Sequence, residues 1–153
     1  MKAWIAALFV VLMLASGCGG EDTSSTASKD SSEGALTKAE LIEQGDAICA
    51  KVFAVTESLN PEGTTKEAVR HAKLKSGMIK DLLDLGAPKE TEYQYAEYLN
   101  AAHALALAEA EVQRIAKSGD ASGLETAESG SLSAFSMFQA EAGTYGFETC
   151  AGY

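Results

Sequence analysis

The residues best suited to hold a metal ion or move a proton near neutral pH are the two histidines, His71 and His103. A di-iron site in a helical bundle uses a Glu-x-x-His motif on each of two helices. Three residues before the histidines stand Ala68 and Asn100, so that motif is missing, and so is His-Glu-x-x-His. Glu67 lies four positions before His71 and would share its face of a helix. Glu67, His71 and His103 are therefore the candidate ligands of a ferritin-like metal site. A solvated surface pair explains the first two equally well, and no metal or cofactor is expected. Nucleophilic chemistry has no foothold either: the chain lacks Gly-x-Ser-x-Gly, Ser-x-x-Lys and a phosphate-binding glycine loop. The many carboxylates read as solvating charge, since acid–base work needs a burial that sequence does not display. No catalytic residue is assigned, and the chain reads as non-enzymatic.

Cysteine is the other reactive type, at Cys18, Cys49 and Cys150, with no Cys-x-x-Cys among them. Cys18 closes a distinctive leader. Lys2 gives a positive start and Trp4 to Ala15 is an unbroken apolar run. That run is short beside the roughly 20 residues a spanning helix needs, and it fits the apolar region of an export signal. Ala15-Ser16-Gly17-Cys18 follows, and it resembles a bacterial lipobox, with Ala15 where Leu is more usual. The resemblance implies removal of residues 1–17 as a lipoprotein signal peptide. It also implies a diacylglycerol on the Cys18 thiol and a place on the extracytoplasmic side of a cell membrane. A secretion signal without lipid and a short membrane anchor are the alternatives. Residues 19–34, GGEDTSSTASKDSSEG, are too polar to offset their ordering entropy by burial. Residues 18–35 are thus expected to be a lipidated cysteine on a flexible tether.

The formal net charge is −10, and loss of Lys2 with the leader makes it more negative. Lys and Arg are scattered singly, which excludes a nucleic-acid partner and electrostatic docking on anionic lipid. Lipid on Cys18 would have to do the anchoring. With Cys18 so used, Cys49 and Cys150 remain as a pair in an oxidising compartment, where a disulfide is the natural outcome. Free buried thiols and a redox role are the other possibilities.

Residues 36–153 carry helical signals throughout. Thr37-Lys38-Ala39-Glu40 has capping-box spacing, and Leu41, Gly45, Ile48, Val52, Val55 and Leu59 follow at steps of three or four. Asn60-Pro61-Glu62-Gly63 breaks that helix. A second capping box, Thr64 to Glu67, opens a helix striped by Val69, Ala72, Met78, Ile79, Leu82, Leu83 and Leu85. Gly86 closes it, and Pro88 is expected to open a third helix reaching Ser118, with Tyr95, Leu99, Ala102, Leu105, Ala106, Val112 and Ile115 inward. Ser122 to Glu125 is a third capping box. Leu124, Ala127, Ser131, Phe135, Phe138, Ala142 and Tyr145 form the last stripe, ended by Gly143 and Gly146. With no alternating runs, the expected fold is all-α, an antiparallel four-helix bundle. In such a bundle Cys150 reaches mid-helix Cys49 only if the tail after Gly146 folds back, or if the last helix is offset. The aromatic residues read as core, or as the lining of a cleft for a small apolar ligand. Tyr93 and Tyr95 are two positions apart, so one of them is expected to be exposed.

The run Leu36 to Ala54 with the near-terminal Gly146-Phe147-x-x-Cys150 resembles a group of small exported helical proteins from actinobacterial genomes. Leu36, Thr37, Lys38, Ile42, Asp46, Ala47, Ile48, Cys49 and Cys150 carry the likeness, and Gly45 replaces the usual Ala. The resemblance implies the bundle and the cysteine pair, and it implies no activity. The expected role is a lipid-anchored binding or interaction module whose partner is another envelope protein or a small apolar ligand.

Overall fold

The computed structural model describes residues 34–59 and 64–152; the leader, Cys18 and the tether as far as residue 33 lie outside them. Four helices follow in order: α1 (Lys38–Glu57), α2 (Thr65–Asp84), α3 (Tyr93–Ser118) and α4 (Ala121–Tyr145), with no strand among the described residues. The first two start where expected. Thr37 and Thr64 each accept from the backbone N–H three residues on, and Glu40 and Glu67 return the bond to the cap backbone. The other two starts differ from the expectation. Pro88 does not open α3; residues 86–92 form a connection pinned to the residue before the α1 cap by the Lys89 N–H, which donates to the Leu36 carbonyl at 2.8 Å. The cap of α4 is Asp120, whose Oδ1 accepts from the Gly123 N–H at 2.9 Å, so Ser122 falls inside the first turn. Gly86, Gly119 and Gly146 follow helix ends with positive φ, where a side chain would be strained.

Contacts run in opposite directions along α3 and α4 and along α2 and α3. Tyr98 of α3 meets Phe138 and Tyr145 of α4, while Glu109 meets Ser131. The Tyr95 hydroxyl donates to the Gly86 carbonyl just beyond α2, while Gln113 reaches back to Ser76. The helices therefore form the expected antiparallel bundle.

The tail folds back, and it wedges between α1 and α4. From Gly146 it turns to lay Phe147 against Gly45 and Cys150 against Cys49. The cysteines form a disulfide with an S–S distance of 2.01 Å, both fully buried and 101 residues apart in sequence. Closing a loop of that length stabilises by up to about 4–5 kcal/mol in the chain-entropy account. The Asp46 carboxylate clips the tail a second time, accepting from the Glu148 N–H at 3.0 Å and the Cys150 N–H at 2.9 Å.

The interior is two apolar clusters separated by a polar layer. The larger joins Leu41, Met78, Leu82, Tyr98, Phe138, Tyr145 and Phe147 with the disulfide; the smaller joins Ala68, Ala72, Val112 and Leu124. Most stripe positions face these clusters. Val55, expected inside, is 40% exposed near the end of α1. Of the tyrosine pair, Tyr93 is exposed and Tyr95 is buried.

Candidate functional site

The polar layer is where the bundle departs from simple packing. On α2, Lys75 comes between Ala72 and Met78; on α3, Glu109 comes between Leu105 and Val112; on α4, Ser131 comes between Leu124 and Phe138. Helical spacing sets all three on the inward stripe at one height. Glu109 is only 1% exposed. A carboxylate that deep must be paired or hydrogen-bonded. Both of its partners act on Oε1: Ser131 Oγ donates at 2.7 Å and Lys75 Nζ pairs at 3.1 Å. Lys75 also lies 5.0 Å from the centre of the Phe135 ring, which holds its ammonium over an aromatic face.

This layer is the floor of a cleft of about 260 Å³ between α2, α3 and α4, to which α1 contributes no lining residue. Ala68, Ala72, Val112 and Leu132 supply apolar walls, and Glu67, His71 and Glu128 stand around the rim. The expected Glu67–His71 neighbourhood is thus part of a real concavity. His103 is not; it is exposed on α3 and does not border the cleft. No three His, Cys, Asp or Glu side chains among the described residues are placed to hold a metal ion.

Ser131 and Lys75 approach to 3.5 Å, and Lys75 is ion-paired with the buried Glu109 carboxylate. Lys75, Glu128 and Glu109 are site residues that sequence reasoning missed, Glu109 the most deeply buried of them. Its signal was legible: a Glu four positions after Leu105 and three before Val112 stands on an apolar stripe.

A second concavity, an open groove, lies where α1, α4 and the tail meet, with Phe53, Ala54 and Phe135 on its walls. Tyr95, Tyr98, Phe138, Tyr145 and Phe147 are core, as one of the two expectations had it. Tyr98 sits 4.9 Å from Phe147 and 5.8 Å from Phe138, centre to centre. Burial pushes the Tyr98 phenol upward, and burial with the nearby Glu92 charge pushes Tyr145 up to about 12. The Tyr145 hydroxyl has no hydrogen-bond partner among the described residues.

Comparison of the chain with protein-family models, with curated proteins and with solved structures found no match.

Proposed function

We propose that this protein is a lipid-anchored binding module, held through Cys18 on the extracytoplasmic side of a bacterial membrane, that captures a small ligand in the cleft between α2, α3 and α4. The observation that carries the binding half is the buried Glu109 carboxylate on the cleft floor. Burying a charge is costly, and apolar residues in place of the whole Lys75–Glu109 pair would ordinarily stabilise the fold as well or better. A carboxylate kept there at the base of an accessible concavity suits a recognition role. The anchoring half is supported by the leader and the Ala15-Ser16-Gly17-Cys18 sequence. It agrees with the finding that, among the described residues, no helix is long and apolar enough to cross a membrane. A disulfide-locked frame suits an oxidising compartment.

The test is intact-mass analysis of the full-length protein extracted from bacterial membranes, under native and denaturing conditions. An acyl mass on the peptide that begins at Cys18, abolished with membrane retention in Cys18→Ala, is the expected result for the anchor. A further mass lost on denaturation is expected for the ligand. A chain without acyl mass would overturn the anchoring. A bare native mass, together with no response of cleft residues to any member of a small-molecule set spanning charge and polarity, would overturn the binding role. The Phe53–Phe135 groove favours a second reading, a carrier of small apolar molecules. A co-purified hydrocarbon shielding Phe53 would favour it.

A further inference from the structure

The cleft's charge and shape say what kind of ligand suits it. We propose that it takes a small organic cation, a primary ammonium on a short aliphatic body, with the ammonium against Glu109. This rests on the cleft being the binding site and goes on to name the class of ligand.

The argument begins with the two oxygens of one carboxylate. Glu109 Oε1 is satisfied by Ser131 and Lys75. Oε2 has no hydrogen-bond partner among the described residues, yet it is not one of the sealed, unpartnered buried atoms, so it reaches the cleft that Glu109 lines. A carboxylate oxygen is an acceptor only, so the group that completes it must donate. Charge narrows the donor. Glu67, Glu109 and Glu128 border the cleft with His71 and with Lys75, whose charge Glu109 already neutralises. The rim therefore presents surplus negative charge. An incoming anion would meet like charge, a neutral hydroxyl would gain one ordinary hydrogen bond, and an ammonium would gain a charge-assisted bond with little water around it.

Size and walls set the rest of the molecule. About 260 Å³ equals the volume of some eight or nine waters at about 30 Å³ each, below the roughly 300–1,000 Å³ of drug-sized pockets. Ala68, Ala72, Val112 and Leu132 line the way to Glu109 with methyl groups. A chain of a few methylenes ending in an ammonium matches that sequence of surfaces. The 63% exposure of Leu132, large for a Leu, falls at this rim, where an aliphatic body would cover it.

The test titrates three probes of one shape, n-butylammonium, n-butanol and butyrate, into the isotope-labelled full-length protein in uncharged detergent micelles. The methyl signals of Ala72, Val112 and Leu132 report binding. The expected result is saturable shifts with butylammonium, affinity for butanol weaker by about tenfold or more, as one charge-assisted hydrogen bond implies, and no response to butyrate. Glu109→Gln should bring butylammonium down to the level of butanol. Glu128→Gln, at an exposed position that leaves the Lys75 pair intact, should weaken butylammonium alone and so serves if the first variant fails to fold. Butanol or butyrate binding as well as butylammonium would overturn the cation assignment while leaving the cleft a binding site. No shift with butylammonium would overturn the cation assignment too, and the wider small-molecule set then decides whether the cleft binds anything.

Discussion

Gly45→Ala is the most direct check on how the tail is seated. In a helix interior Ala is more favourable than Gly by about 1 kcal/mol, so the substitution would stabilise wherever there is room. At Gly45 there is none. The new Cβ would collide with the Phe147 ring and stand 3.2 Å from Leu82 Cδ2. The ring has little freedom to yield. It packs on Tyr98 at 4.9 Å and Tyr145 at 5.6 Å, and the Phe147 N–H is bonded to the Ala142 carbonyl. Beyond it the tail is held by Asp46 and the disulfide. Overpacking of this kind costs about 1–3 kcal/mol, which outweighs the propensity gain and leaves a net loss of about 0–2 kcal/mol. Gly77→Ala is the internal control: it lies in α2, is exposed and has nothing within 4 Å of the added Cβ, so it should gain about 1 kcal/mol. The quantity to measure is the difference between the two variants in urea unfolding of the oxidised protein, expected at about 1–3 kcal/mol. Combining Gly45→Ala with Phe147→Leu should recover part of it. Equal stabilisation by both glycine substitutions would refute the reasoning.

Asp46→Ala removes both acceptors that clip the tail, and should cost about 1–3 kcal/mol. Amide hydrogen exchange at Glu148 and Cys150 should accelerate while that of α3 holds; unchanged exchange at these two amides would show the clip to be idle. Lys75→Met strands the Glu109 charge in the interior and should cost about 3–5 kcal/mol, whereas Lys75→Met with Glu109→Met should restore most of the stability. If the double variant unfolds as readily as the single one in urea, the ion pair is not what the polar layer needs. Tyr145 is held up to about 12 against an ordinary 10.0, so the folded state keeps its phenol proton after the unfolded chain has lost its own. Its contribution is whole below pH 10 and fades as pH climbs from about 10 through about 12. In a Tyr93→Phe, Tyr153→Phe background phenolate absorbance should therefore rise late and together with loss of helical signal; an early rise in that variant while still folded would contradict the burial of Tyr98 and Tyr145.

The fold could be read where residues act on their immediate neighbours. Thr37 with Glu40 and Thr64 with Glu67 start helices by bonds spanning three residues, and Gly86, Gly119 and Gly146 stop them through their own φ. Pro88 misled because its local preference is permissive: a proline suits a first turn, but here the Lys89 N–H is claimed by Leu36, far away in sequence. Asp120 and Ser122 offered competing caps two residues apart, and the Gly123 N–H is within reach of the former. The site was half legible. Ser131 lay on the inward stripe of α4, and Glu67 with His71 were singled out as neighbours. What joined them to Lys75 and Glu109 was the register between three helices, which periodicity within any one of them cannot supply. Phe147 and Asp46 belong to the same class, since their partners stand about a hundred residues away along the chain.

The placement of Phe147 and Cys150 bears on how the molecule comes into being. A nascent polypeptide emerges N-terminus first, and here the final few residues complete the larger apolar cluster. Until they appear, the hollow at Gly45 is vacant, Tyr98 lacks a neighbour and the Cys49 thiol has no mate. All four helices can have been synthesised while the interior still cannot close. Closure is thereby deferred until residues 147–150 have been made. An oxidant has nothing to join until that point, because Cys150 comes to stand beside Cys49 only when the tail is laid down.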